Sequence, residues 1–162
     1  MFKIKLLILL LISYFLSSCS SSNINNNQET YSLSYIGGGY DGLVLKKILG
    51  ANLRNFNFYD NKSLKRVKAN IDHDTELFIT NIDNTSDRER VATQINIEIY
   101  DEELDCNIFK FKETMSQFYI YASNEKFLSN DKALEEIKYR NTEEIVKKFI
   151  NSLNKVGNSC VK

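Results

Sequence analysis

The chain has 162 residues, with 21 basic and 21 acidic side chains, so its formal net charge is zero. This length is enough for one domain that buries its own core. The balance of charge gives no general indication of nucleic-acid binding. Any role of charge in function must therefore come from local clusters.

A short hydrophobic leader opens the chain. Lys3 and Lys5 precede an apolar run that closes with Leu16-Ser17-Ser18-Cys19. This order of a basic start, an apolar middle and a small-residue end is typical of a secretory signal. Its terminal cysteine resembles that of a bacterial lipobox. The resemblance implies that residues 1–18 are a lipoprotein signal peptide and that Cys19 is acylated at its thiol and becomes the mature N-terminus.

The alternative interpretation of the leader is a transmembrane anchor with a chance cysteine. Its apolar run is too short to span a bilayer comfortably, because a spanning helix needs about 20 apolar residues. Residues 19–28 are rich in Ser and Asn and bury little apolar surface, so we expect a flexible lipid tether. Residues 29–162 are then predicted to form a single domain on the membrane surface, held there by several acyl chains.

A strand and a helix are predicted at the start of this domain. Residues 31–36 alternate apolar with small polar side chains, and residues 42–55 have helical spacing, with Asp41 as the expected N-cap. Between them, Gly37-x-Gly39-x-x-Gly42 followed by Asp60 resembles half of a dinucleotide-binding motif. The alternating first strand argues against that site, because parallel strands buried on both faces are continuously apolar. We expect a flexible turn and no cofactor.

The remainder predicts an antiparallel meander and a terminal helix. Residues 56–59 suggest a short strand and residues 61–70 a basic loop or short helix. Three long strands are predicted at residues 75–82, 90–100 and 108–121, the second with Ile95, Ile97 and Ile99 on one face. A helix follows over residues 131–156, and a break at Asn141 is left open. These elements predict an α+β fold, a mainly antiparallel sheet of about four strands with two helices packed on one face.

Few residues suggest catalytic or metal chemistry. His73 is the only histidine and lies between Asp72 and Asp74, which predicts a surface loop more strongly than a metal site. No nucleophile and base can be paired, so we expect neither a catalytic residue nor a metal ligand. Cys106 and Cys160 either form a disulfide, as exported proteins allow, or remain a strand thiol and a separate tail thiol.

Two basic groups stand near predicted strand and loop ends. One is Arg88 with Arg90, and the other is Lys126 with Lys132. Each is either solvated surface charge or a site for an anionic ligand. A phosphorylated glycolipid is such a ligand, because Arg and Lys form charge-assisted hydrogen bonds with phosphate.

The order of these elements resembles the outer-membrane LPS-assembly lipoprotein family (LptE), closest to its α-proteobacterial branch. The resemblance covers a lipobox, a short strand, an amphipathic helix, a three-strand meander and a final helix. Its most informative stretch is the basic turn and strand at Arg88–Asp101. A strand ending in aromatic residues, Phe118, Tyr119 and Tyr121, follows it.

The resemblance implies a structural and binding role without catalysis. It implies a lipid-anchored, periplasm-facing outer-membrane protein that plugs a large β-barrel LPS translocon, helps that barrel assemble and binds LPS. The LPS contacts would lie at or near Arg88, Arg90, Lys126 and Lys132. The alternative is an unrelated periplasm-facing lipoprotein that binds another envelope protein or peptidoglycan.

Overall fold

A computed structural model describes residues 29–78, 88–120, 127–157 and 159–161 of the chain. The predicted leader and tether, residues 1–28, lie outside these ranges. The described elements are β1 (Ser32–Gly37), α1 (Gly39–Asn55), β2 (Lys65–Phe78), β3 (Arg88–Asp101), β4 (Cys106–Ile120) and α2 (Phe127–Ser152), with a 3-10 turn at Leu153–Lys155.

The four strands form one sheet in the order β1-β2-β3-β4. β2, β3 and β4 are joined as the predicted antiparallel meander, and their ladders run the full length of the strands. β1 joins the sheet beside β2 in the parallel direction. The predicted α+β fold with a mainly antiparallel sheet is therefore confirmed.

Strand alternation separates a buried face of the sheet from an exposed one. Ile95, Ile97 and Ile99 have no exposed surface and lie on the face that both helices cover. We call this the helix face and the opposite side the open face. The helices contribute Leu45, Leu49, Leu53, Ile145, Val146 and Phe149, all fully buried in the same cluster. Burying each large aliphatic side chain stabilises the fold by about 1.5–3 kcal/mol.

The start of β2 corrects the sequence-based prediction for residues 61–70. The basic side chains in this stretch suggested a loop or short helix, but β2 begins at Lys65. Alternate residues Val67, Ala69 and Ile71 are buried on the helix face. The strand period was obscured because charged and polar side chains occupy the intervening, open-face positions. Within the predicted strand at 56–59, Tyr59 makes one isolated parallel bridge with Tyr31.

Both helices differ from prediction at their ends. α1 begins at Gly39 with Gly38 as its N-cap, at φ 111°, so the predicted Asp41 cap is wrong. Asp41 instead lies in the first turn, where a carboxylate interacts favourably with the helix dipole. α2 is continuous through Asn141, which settles the question of a break, and it starts earlier than predicted, at Phe127.

A disulfide ties the C-terminal tail to the start of β4. Cys106 and Cys160 are bonded, with their Cα atoms 5.8 Å apart. Beside this link the amide of Val161 donates a hydrogen bond to the carbonyl of Asn107, at 2.8 Å. The tail therefore lies along the edge of the sheet at this point.

The glycine-rich turn and Asp60 do not form a dinucleotide site. β1, α1 and β2 form a parallel crossover unit. The alternating pattern of β1 suggested otherwise. That pattern is explained by the position of β1 at the edge of the sheet. Gly37 ends β1, whereas Asp60 precedes β2 and donates its amide to the carbonyl of Tyr31 at the opposite end of β1. Close packing requires a glycine at position 42, since a Cβ on Gly42 would lie 2.6 Å from the carbonyl oxygen of Gly37.

We expect Gly42→Ala to lower the free energy of unfolding by about 1–3 kcal/mol, because the added methyl would collide with backbone atoms that cannot move aside. Urea denaturation measures this loss. Gly157→Ala is the matched control, since its Cβ would meet only the Ser159 hydroxyl at 3.9 Å. Equal stabilities of the two variants would contradict the packing explanation.

Candidate functional site

One end of the sheet is far from the point where the domain begins. Glu29 forms an ion pair with Lys65 at 2.6 Å, so the chain enters the domain beside the start of β2. β2 has 14 residues and, at about 3.3 Å per residue, is about 45 Å long. At its other end, Phe78 stands opposite Arg88, which in turn stands opposite Ile120. The chain therefore enters the domain at the end remote from these residues.

This remote end carries exposed apolar side chains on the open face. Phe78, Phe118 and Ile120 are 39%, 57% and 69% exposed, and the two phenylalanine rings lie 5.8 Å apart in an edge-on contact. With Arg88, these residues make up what we call the far-end surface. Clustered exposed apolar side chains make this end of the sheet a candidate interaction site.

The second helix brings another exposed apolar residue to the same end. Asn141 contacts the carbonyl of Met115, and Phe149 packs against Phe111, so α2 runs back along β4 from its far end. Leu128, in the first turn of α2, is 74% exposed. The far end of the domain is thus apolar on more than one element.

The four basic residues singled out in the sequence differ in their surroundings. Arg88 is exposed within the far-end surface, and no ion pair among the described residues involves it. Arg90 instead bonds the Glu76 carboxylate at 2.7 Å and lies 3.9 Å from that of Asp74. Arg90 is therefore already neutralised and faces carboxylates that repel an anionic ligand.

The second basic group is only partly described. Lys132 is exposed in the second turn of α2, toward the far end of the domain. Lys126 lies outside the described residues. Arg88 and Lys132 are both exposed, and no ion pair among the described residues involves either of them.

A polar cluster, which the sequence analysis missed, interrupts the core beneath α2. His73 lies on the helix face of β2, not in the predicted surface loop, and its Nδ1 is 2.9 Å from the Thr93 hydroxyl. The Asn141 amide donates to that hydroxyl at 3.2 Å and to the carbonyl of Val91 at 3.3 Å. Two features of the sequence could have revealed this cluster. Thr93 interrupts the alternating aliphatic residues of β3, and Asn141 interrupts the apolar stripe of α2.

His73 also forms part of the wall of a pocket of about 220 Å³ between the N-terminal turn of α1 and α2. Its side chain is 6% exposed, and its Nε2 lies 3.8 Å from the Asp41 carboxylate, beyond hydrogen-bonding distance. Burial lowers the pKa of His73, and Asp41 only partly opposes this effect. Among the described residues no group of three His, Cys, Asp or Glu side chains is placed to hold a metal ion.

Comparisons with known proteins identify the fold. No protein-family model matches the chain, and no curated protein matches it. A minor lipoprotein from Acinetobacter baumannii is similar in structure, with TM-score 0.51 and 11% identity over 79% of this chain and 94% of that one. Rare lipoprotein B from Shewanella oneidensis has TM-score 0.54 and 12% identity over 78% and 98%. A protein from Caulobacter crescentus, assigned as a lipoprotein, has TM-score 0.52 and 14% identity over 76% and 88%.

These likenesses show that the chain shares a fold with the three proteins, and at such identities they show the fold alone. Among the described residues, no helix is both long and apolar enough to cross a membrane.

We expect acidification to destabilise the domain through His73. Because burial holds the pKa of folded His73 below its usual 6.5, the unfolded chain binds a proton more readily. The stabilisation that neutral His73 provides is complete above pH 6.5, the usual pKa of histidine. It is lost as the pH falls through the lower pKa of His73 in the folded protein. Urea denaturation of the wild type and of His73→Gln from about pH 7.5 to about pH 5 measures this difference. The variant should lose less stability than the wild type over this range, and equal losses would contradict the assignment.

Proposed function

We propose that this chain is a lipid-anchored, periplasm-facing outer-membrane protein that acts as plug and assembly partner of the LPS-translocating β-barrel and binds LPS in transit. The observation that carries the LPS contact is the far-end surface. It places the exposed Arg88 guanidinium between Phe78 and Ile120 on neighbouring strands. An anionic amphiphile needs both parts, a cation for its phosphate and apolar side chains for its acyl chains.

The proposed anchoring is supported by the sequence. The leader ends in the lipobox-like Leu16–Cys19, and the fold is one that also occurs in proteins named as lipoproteins. Because the chain enters the domain opposite the far-end surface, a lipid on Cys19 would leave that surface free to meet a ligand away from the anchor.

The anchor is tested by Cys19→Ala in cells. The variant should lose the mass of its acyl groups and should keep the mass of residues 1–18, because the cysteine at which the chain is acylated and processed is absent. Intact-mass measurement gives the result, and Ser20→Ala is the control that should be acylated and processed normally. An unchanged mass of acyl groups in Cys19→Ala would contradict lipidation at Cys19.

The LPS contact is tested by comparing Arg88→Ala with Arg90→Ala. Arg88→Ala should weaken LPS binding about tenfold, the effect of losing one hydrogen bond to a charged group. Arg90→Ala should change the affinity much less, because Arg90 is held by Glu76 and Asp74. Surface plasmon resonance on immobilised LPS measures both affinities, and equal effects of the two variants would exclude the far-end surface as the contact.

The partner is tested by a mild-detergent pull-down of the lipidated protein from its own membranes. The proposal requires one large outer-membrane β-barrel at equal stoichiometry, identified by mass. Recovery with a peptidoglycan enzyme or with another envelope protein would instead support the alternative of a periplasm-facing binding lipoprotein.

A further inference from the structure

A small pocket opens on the helix face, between the first turn of α1 and the middle of α2. We call it the His73 pocket. Its volume is about 220 Å³, and Asp41, His73, Lys138 and Tyr139 are among the side chains that line it. Pockets for drug-sized ligands measure about 300–1,000 Å³, so this one suits a smaller molecule.

One charge in the His73 pocket has no counter-ion. Lys138 is bonded to Glu135 at 3.0 Å, so these two charges offset each other. Among the described residues, the Asp41 carboxylate has no ion pair apart from its 3.8 Å approach to His73, and burial favours the neutral imidazole by lowering its pKa. The N-terminus of α1 offsets the charge of Asp41 only in part, by about half a unit charge. The pocket therefore favours a cationic ligand.

The imidazole provides a second hydrogen-bonding atom beside the carboxylate. The side chain of His73 is 6% exposed, and its Nδ1 is occupied by the Thr93 hydroxyl at 2.9 Å. Its Nε2 has no hydrogen-bond partner in the described part of the chain and lies 3.8 Å from Oδ2 of Asp41. A proton on Nε2 would draw the two atoms into direct contact, so the wider gap favours a proton on Nδ1 and makes Nε2 an acceptor.

Two acceptors at this separation suit a single donor nitrogen. A nitrogen about 2.9 Å from both atoms fits between them, with one N–H directed at each. Such a bond is strengthened when donor and acceptor are both charged, as an ammonium and the Asp41 carboxylate are.

The walls of the pocket carry two tyrosines on facing helices. Tyr40 of α1 and Tyr139 of α2 both line it and are 74% and 47% exposed, which places them toward its mouth. Aromatic rings attract a cation that stands over their faces. These rings would therefore favour the same kind of ligand as the carboxylate.

We propose that the His73 pocket binds a small molecule through a primary ammonium group, which donates one hydrogen bond to Asp41 and another to Nε2 of His73. A quaternary ammonium has no N–H to donate, and Asp41 would repel an anion. A metal ion would lack ligands, because no group of three His, Cys, Asp or Glu side chains is placed to hold one within the described ranges.

This site is independent of the proposed LPS contact. Asp41 and His73 lie on the helix face, whereas Arg88 lies with the far-end surface on the open face. Asp41→Asn should therefore leave the affinity for LPS unchanged, and either proposal can fail without the other.

The ligand class is tested on the full-length lipidated protein in mild detergent at neutral pH. Ligand-detected saturation-transfer NMR measures the binding of three probes of similar size, ethanolamine, choline and ethylene glycol. Ethanolamine should bind saturably. Choline lacks the N–H donors and ethylene glycol lacks the charge, so each should bind at least about tenfold more weakly.

Variants locate the site. Asp41→Asn keeps the shape of the side chain and should weaken ethanolamine binding at least about tenfold. Asp72→Asn is the matched control, because Asp72 is adjacent to His73 on β2 but exposed on the open face beside Arg90. Circular dichroism and thermal melting confirm that both variants are folded.

The contribution of the rings is tested by Tyr40→Leu, which should weaken ethanolamine binding about threefold. Tyr35→Leu is its control, since Tyr35 is equally exposed, at 71%, but lies on β1 outside the pocket. The proposal is overturned if ethanolamine shows no saturable binding, if choline or ethylene glycol binds the wild type as tightly, or if Asp41→Asn and Asp72→Asn bind ethanolamine equally.

Discussion

The sheet is buried on one face only, and the helices do not cover the whole of that face. α1 and α2 contribute to one cluster with the aliphatic side chains of β2 and β3. Beyond His73, every residue of β2 up to Phe78 is exposed, whereas Val91 of β3, opposite Thr75, is still fully buried. The end of this extension is held mainly by its strand ladders. Phe78 and Phe118 contact each other there but stay partly exposed, which supports the proposed interaction site.

The polar cluster marks the boundary between the covered and uncovered parts of the sheet. Asn141 holds α2 to the carbonyls of Val91 and Met115, on two strands at once. Buried polar groups stabilise little by themselves, but they disfavour every packing that would leave them unpaired. The cluster therefore fixes where α2 lies along the meander, and with it how far the strands project beyond the helix.

Neighbouring charges decide which basic residues can bind an anion. Arg88 and Arg90 are two residues apart and point to the same open face. Carboxylates on β2 surround Arg90, whereas Phe78 and Ile120 flank Arg88. An exposed ion pair contributes little to stability, about 0–1 kcal/mol. The ion pair between Glu76 and Arg90 therefore matters mainly because it occupies the Arg90 guanidinium, which is then less available to an anionic ligand. Toward its far end, the open face thus carries carboxylates beside Arg90 and apolar side chains beside Arg88.

The sequence by itself determined the α+β class, the meander and both helices, because these follow from local periodicity in apolar side chains. It failed at Lys65–Asn70, where charges hid the strand period, and at Asp41, because a left-handed Gly38 took the N-cap position. Only the tertiary structure decided that Cys106 meets Cys160, that His73 is buried beside Thr93 and Asn141, and that Arg88 lies with apolar residues while Arg90 is ion-paired. These contacts depend on strand register and on how α2 and the C-terminal tail pack against the sheet, and both join residues that are far apart in the sequence.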